Sequence, residues 1–379
     1  MNYLIFLLKK GLKSKLALLS VVLTIIVVST CLFFDLRNQH VQTFESRAQE
    51  QILFDIRQKK HYTPKEIKQD PHDAVSLIDS DIQVNKKIQK LLHKRKWRQA
   101  YKKQIAYNNT QLKSSPNNGT ETSKYFKESL ISQILLCKAL IRLNLADQSE
   151  DSPTTGTSFF LYIDDLVSSV LIILLVIFIC SQLYTKRFAN LLDKDTLPPI
   201  DTGKNILSNL FTGYTLAVAL SVLAIGFSFI TATSISGIGN WHYPFPYYTS
   251  QVPFNIYRPQ SEFVIPTIVL RMLSSCFVVT CVYFFAVLTK KSLTTLLLNL
   301  LILIGTNQLT SSVKLLSKIG QYLPTSYFNG VSVSSGRLSF LAKNPQINEA
   351  HGIEALIIWT IFFGVAAFSV QYIRQHTRN

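Results

Sequence analysis

The sequence predicts an all-α polytopic membrane protein, with six transmembrane helices and a small helical extracellular domain between the first and the second. Three observations predict it. Of 379 residues, 47% are hydrophobic and only 16% charged, whereas a soluble chain carries about a quarter charged residues. The apolar residues are gathered into blocks, and a helix crosses a bilayer with about 20 of them. Under a six-span count, Lys9 to Lys15, Lys186-Arg187, Lys290-Lys291 and Arg374 with Arg378 fall on one side. An excess of Lys and Arg in short loops marks the cytoplasmic side.

Residues 1–15 read as a cytoplasmic interfacial helix, apolar from Met1 to Leu8 and then lysine-rich. Residues 16–34 form the first span, free of charge. It reads as an uncleaved anchor, because Leu32-Phe33-Phe34 continue the apolar run beyond Cys31. Residues 35–158 are polar and helical in pattern. Ile88, Leu91, Leu92, Trp97, Tyr101 and Ile105 keep helical spacing, as do Phe126, Leu130, Ile134, Cys137 and Ile141. The Asn-, Ser- and Thr-rich stretch from Asn108 to Ser123, around Pro116, reads as a flexible loop. The expectation is a long helical hairpin outside the membrane, since long domains are translocated largely regardless of their charge.

The second span is placed at 159–184 and a cytoplasmic loop at 185–205. Residues 206–379 hold four further spans: one within Ile206 to Ser236, then Phe263 to Leu288, Leu293 to Val313 and Ala355 to Ile373. The external loops are 237–261 and 314–354. With both termini cytoplasmic, the chain is expected in the plasma membrane as a multi-pass protein.

The formal charge of +17 does not point to nucleic acid. No zinc-finger spacing, RNP-like aromatic string or basic zipper is present, and a basic membrane protein reflects topology and anionic headgroups. Nor is there a Gly-x-x-x-x-Gly-Lys-Ser/Thr loop, a His-Glu-x-x-His or a Gly-x-Ser-x-Gly. No catalytic, cofactor-binding or metal-binding residue is assigned. Four of the five cysteines lie in apolar blocks, so no disulfide framework is available.

Three features remain. Arg271 enters the fourth span, where pairing with Asp164 and Asp165 would tie the second and fourth spans together. The alternative is that all three reach out to the headgroups. The external loop with Trp241, Tyr243, Phe245 and Tyr247 suits an interfacial aromatic belt or the outer mouth of a path. Lys86 to Lys103 carries nine Lys and Arg in eighteen positions. It fits an anionic ligand or polymer, or a solvated face near acidic lipid.

The 185–205 loop is the most informative feature. A short amphipathic helix at about Arg187 to Leu192 is expected to precede a Pro198-Pro199 turn. Asp201 or Thr202 would then cap the third span. Phe188, Leu191 and Leu192 would share one face, suited to a groove on a partner. With its charged start, Leu191-Leu192 step, proline turn and Lys204, this loop resembles the coupling-helix loop of the type-2 ABC exporter permeases. The layout is similar to the family's too. Gly237-Ile238-Gly239…Tyr243-Pro244 resembles its external loop, and Leu323-Pro324-Thr325-Ser326-Tyr327 to Gly330, with Gly336, resembles the stretch before its last span. One departure is that the family's loop often opens with Glu and Gly, where this chain has Lys186-Arg187-Phe188.

The resemblance implies a permease subunit that exports a peptide-like or amphipathic substrate, paired with a second permease copy or a related one. A separate cytoplasmic ATPase would supply the nucleotide site with its ATP and Mg. Arg187, Phe188, Leu191, Leu192, Asp193 and Asp195 would be the ATPase-coupling residues. The rival reading is a membrane-bound sensor or accessory protein whose external domain binds a ligand without transport.

Overall fold

A computed structural model describes residues 2–61, 74–114, 121–189, 192–193, 201–249, 252–310 and 312–376. The chain is mostly helical and folds into two compact units. One comprises Met1–Cys31, Gly156–Ile238 and Ser261–Asn379, and the other Leu32–Thr155 with Gly239–Gln260.

Helices Lys15–Asn38, Thr202–Ser236, Ser261–Thr289, Ser292–Leu309 and Glu349–Arg374 are long and apolar enough to cross a membrane. The pair Gly156–Val167 and Ser169–Thr185, bent by 44°, makes a sixth if it is one span. Within that pair, Asp164–Ile172 is a π-helix, and such wide turns are a recognised cause of sharp bends. A second π segment, Leu300–Gly305, lies in the fifth span. The helix Thr202–Ser236 starts where the Asp201 carboxylate accepts from Lys204 N at 3.4 Å. It stops at Gly237, whose φ of 84° is cheap only for glycine. At about 1.5 Å per residue, its 35 residues outreach the hydrocarbon core of about 30 Å.

The N-terminal helix Asn2–Leu12 lies against this long helix. Tyr3 donates to Asn205 Oδ1 at 3.2 Å, Leu7 is buried, and Gly11 is held tightly against Leu216. The stretch expected as an external loop at 314–354 is not a free loop. It folds into short helical turns, Lys314–Lys318, Gly320–Tyr322, Pro324–Tyr327, Gly330–Ser334 and Arg337–Ala342. Tyr327 and Phe328 are fully buried. Ser274 donates to Tyr327 O at 3.2 Å, and Gly330 abuts the backbone of Thr267. Burial of this aromatic pair anchors the stretch in the bundle.

The second unit is built on helices Phe44–His61, Ala74–His93, Trp97–Ser114 and Glu121–Leu143. Its core gathers Phe44, Ile88, Leu92, Ala100, Tyr101, Leu136, Cys137, Leu140 and Tyr243. Helix therefore runs on to Ser114 and resumes at Glu121, inside the stretch expected as a loop, and 115–120 lie outside the described residues.

Among the described residues, two pairs of antiparallel strands interrupt an otherwise mostly helical chain. Strand β1, Phe188–Ala189, pairs with β2, Leu192–Asp193, where a helix was expected from Arg187 to Leu192. The β-branched-free, mixed-polarity run is too short to nucleate a helix on its own. Strand β3, Pro244–Thr249, pairs with β4, Val252–Pro259, with a bulge at Tyr247/Thr249. The hairpin lies on the second unit's helices, where Asn255 N donates to Ser132 Oγ at 3.0 Å.

Small residues set the closest approaches in the first unit. A Cβ on Gly213 would stand 1.9 Å from Tyr184 Oη and 2.9 Å from Val279, whereas one on Gly226 meets nothing within 4 Å. Gly213→Ala is expected to cost about 1–3 kcal/mol through overpacking, and Gly226→Ala to leave stability unchanged or raised. Thermal unfolding in detergent checks both, and equal midpoints for the two variants would contradict this packing.

Candidate functional site

Among the buried charges of the first unit, Arg271 and Asp164 meet. Arg271 Nη2 lies 3.1 Å from Asp164 Oδ1, with side-chain exposures of 2% and 0%. The guanidinium also donates through Nε to the same oxygen at 3.2 Å and reaches Asp164 O at 3.4 Å. Asp165 turns elsewhere. Its carboxylate takes Arg337 at 3.1 Å and Ser332 Oγ at 2.9 Å, and its carbonyl accepts from Asn329 at 3.1 Å. The sequence placed Asp164, Asp165 and Arg271 in one cluster. In the structure the two aspartates divide between two arginines, and Arg337 carries no distinguishing signal in the sequence.

The loop of coupling candidates is fastened at its start. Arg187 is 3% exposed, and its Nη1 donates to Tyr283 Oη at 3.1 Å. Its guanidinium also lies over the rings of Phe188, at 4.6 Å, and Tyr283, at 5.4 Å. Tyr283 Oη accepts a second hydrogen bond from Gln371 at 2.9 Å and stands edge-on to Tyr184 with ring centroids 5.0 Å apart. One buried phenol therefore joins the loop to the second, fourth and sixth spans. Arg187 faces the bundle, not a free docking surface. Phe188 is half-buried. Leu192 and Asp193 form β2, while Leu191 and Asp195 lie outside the described residues.

The aromatic loop is also redistributed. Tyr243, expected in an interfacial belt, is a core residue of the second unit. Its phenol accepts from Gln148 N at 2.9 Å, and its carbonyl accepts from Gln260 N at 3.0 Å. Arg258 covers the Tyr247 ring at 3.9 Å. Phe245 is half-buried on β3, and Trp241 is 40% exposed. The reason is satisfiability: a folded unit offers a tyrosine both apolar contact and a partner for its hydroxyl. All nine cations between Lys86 and Lys103 are exposed.

A cavity of about 530 Å³ opens within the second unit, with Asp55, Asp81, Gln104, Asn108, Phe54 and Phe126 on its walls. A smaller space of about 260 Å³ lies beside Asp147, Trp97 and Tyr101. Asp147 Oδ2 accepts from Phe44 N at 2.8 Å at the start of helix Phe44–His61, and Arg47 stands 4.0 Å away. Burial pushes the Asp147 carboxyl up to about 7, with Arg47 opposing. Burial likewise raises the Cys137 thiol, leaving it without a reactive thiolate. Among the described residues, no group of three His, Cys, Asp or Glu is placed to hold a metal ion.

Two outcomes follow. Removing one partner of a buried ion pair strands the other charge, at a cost of about 3–5 kcal/mol. Arg271→Met or Asp164→Asn should therefore lower the detergent unfolding midpoint more than the combined Arg271→Met/Asp164→Leu does, and additive losses would contradict the pairing. Asp147 has a folded pKa above its ordinary 3.8, so the folded state binds the proton more tightly than the unfolded one. That contribution is full below about pH 4 and is lost as pH rises through about 7. Asp147→Asn should gain stability relative to the natural chain between pH 5 and pH 8, as read by tryptophan fluorescence. An equal difference at both values would refute it.

Comparison with known protein families, with curated proteins and with solved structures gave no match to this chain.

Proposed function

We propose that the chain is the transmembrane permease subunit of an ATP-driven exporter of the type-2 ABC kind, moving a peptide-like or amphipathic substrate out of the cell. In this reading the first unit lies in the plasma membrane with both termini cytoplasmic, and the second unit is extracellular. A separate cytoplasmic ATPase binds ATP and Mg and engages the loop 185–205. A second permease copy, or a related one, completes the pathway.

The observation that carries the proposal is the Arg187–Tyr283–Gln371 node. The start of the loop, at Arg187, is thereby tied to the spans. Force applied to it by a partner reaches three helices at once, which is what coupling to a two-state ATPase requires. The apolar outer faces support a paired assembly in lipid. The fifth and sixth spans are only 17% buried within the chain, and Ile358, Ile361, Phe362 and Val365 are exposed along the sixth.

A second reading rests on a different observation. The 530 Å³ cavity of the second unit suits a sensor or accessory protein that binds a ligand without transporting it.

A mild-detergent pull-down of the full chain separates the two. A stoichiometric nucleotide-hydrolysing partner is expected, and it should be lost when Leu191 and Leu192 are replaced by aspartate while membrane insertion persists. A preparation free of any ATPase after gentle extraction would overturn the exporter reading.

A further inference from the structure

The second unit is basic outside and acidic inside. Its segments carry 22 Lys and Arg against 14 Asp and Glu, and the nine cations of Lys86 to Lys103 are all exposed. The cavity inverts this balance. Asp55 from helix Phe44–His61 and Asp81 from helix Ala74–His93 line it together with Glu50, and Arg47 is the cation among its described lining residues. Arg47 is committed elsewhere, donating to Gln42 O at 2.9 Å and lying near Asp147. The neighbouring Lys59 is held by Asp79 at 2.7 Å.

Asp55 is 3% exposed, and its Oδ1 accepts from Gln51 at 2.8 Å. Its Oδ2 is buried and accepts no hydrogen bond among the described residues. A buried carboxylate oxygen left unfilled costs the full desolvation of that atom, so a donor entering the cavity that Asp55 lines would relieve that cost. Burial and the nearby charge of Asp81 both raise the Asp55 carboxyl, and burial raises Asp81. A cation set between them relieves both penalties.

The rest of the cavity is built in advance. Gln104 donates to Asn108 at 2.9 Å, Asn108 to Gln133 at 3.2 Å, and Gln111 to Asp81 at 3.3 Å. These bonds fix the amides as a polar floor. Phe54 and Phe126, exposed by 61% and 48%, supply aromatic surface at the rim. A volume of about 530 Å³ lies in the range of small-molecule sites. Two carboxylates, an amide floor and phenyl edges fit an organic ammonium with apolar arms, where ring faces attract the cation as well.

We infer that this cavity binds an organic cation with aromatic or aliphatic groups, of the kind presented by a lysine-bearing peptide, with Asp55 and Asp81 holding the ammonium. The site stands whether the chain exports such a molecule or only senses it.

The test is calorimetric titration of the full chain in detergent with acetyl-Phe-Lys-Phe-amide, and with the same peptide carrying norleucine in place of lysine. Saturable binding of the lysine peptide is expected, weakened about tenfold or more by norleucine, since hydrogen bonds to charged groups are worth about 1.5–3 kcal/mol. Asp55→Asn/Asp81→Asn should cause a similar loss for the lysine peptide and none for norleucine. Should that variant not fold, Phe126→Ala at the exposed rim should weaken both peptides several-fold. Equal affinity for the two peptides, absence of saturation, or undiminished binding by the variants would overturn the inference. No ATPase enters this measurement, so its failure is distinct from failure of the exporter reading.

Discussion

Bringing Asp164 and Arg271 together out of water is the constraint around which the first unit is arranged. Each charge alone would cost several kcal/mol at this depth of burial, and only the pairing makes the site tolerable. The pair fixes the rotation of the second span against the fourth. Because Asp165 follows Asp164 directly, that rotation also aims the second carboxylate at Arg337 and Ser332. Two adjacent aspartates thereby hold two different parts of the fold, the fourth span and the segment between the fifth and sixth. The π segment begins at the same place. The carbonyls of Asp164 and Asp165 accept from Arg271 and Asn329, so side chains engage backbone groups where the turn is widest.

At the other end of the second span, a different device does similar work. Tyr283 has a single phenolic oxygen with two acceptor sites, and both are filled, by Arg187 and Gln371. Tyr184 packs on its ring and donates to Asn209 O at 3.2 Å. Gly213 lets the third span come near enough for that contact, as Gly352 does where the sixth span passes Tyr327. Small residues at helix contacts substitute for a hydrophobic driving force that lipid does not provide. The spans are thus joined by close backbone approach and by hydrogen-bonded aromatics, while their outer faces stay apolar and open.

The second unit follows other rules. Its core is assembled from aromatic and aliphatic groups of four helices, with Tyr243 brought in from the distant 239–260 segment. Polar side chains that would be costly inside an ordinary core are concentrated on one cavity and bonded to one another. Lys59 is engaged by Asp79 and Arg47 lies near Asp147, and among the described residues no ion pair reaches Asp55 or Asp81. The carboxylates on that cavity set it apart in charge from the unit's basic exterior.

Much of the fold class was legible in the sequence because crossing a bilayer demands long apolar helices, and the structure has five such helices, or six if the bent pair is one span. Asp201, one of the two capping candidates, was legible as well, since local backbone chemistry needs no distant partner. The helical periodicity around Leu92 and Tyr101, and around Leu130 and Cys137, pointed to the right core faces. Other features depended on residues far apart in the chain. The strands at 188–193 and 244–259, the burial of Arg187 and Tyr243, the choice of Arg337 by Asp165, and the return of 314–354 into the bundle are of this kind. The cavity between Asp55 and Asp81 is another. Each is settled by which distant group satisfies a buried charge, hydroxyl or ring, and that choice exists only once the helices are packed.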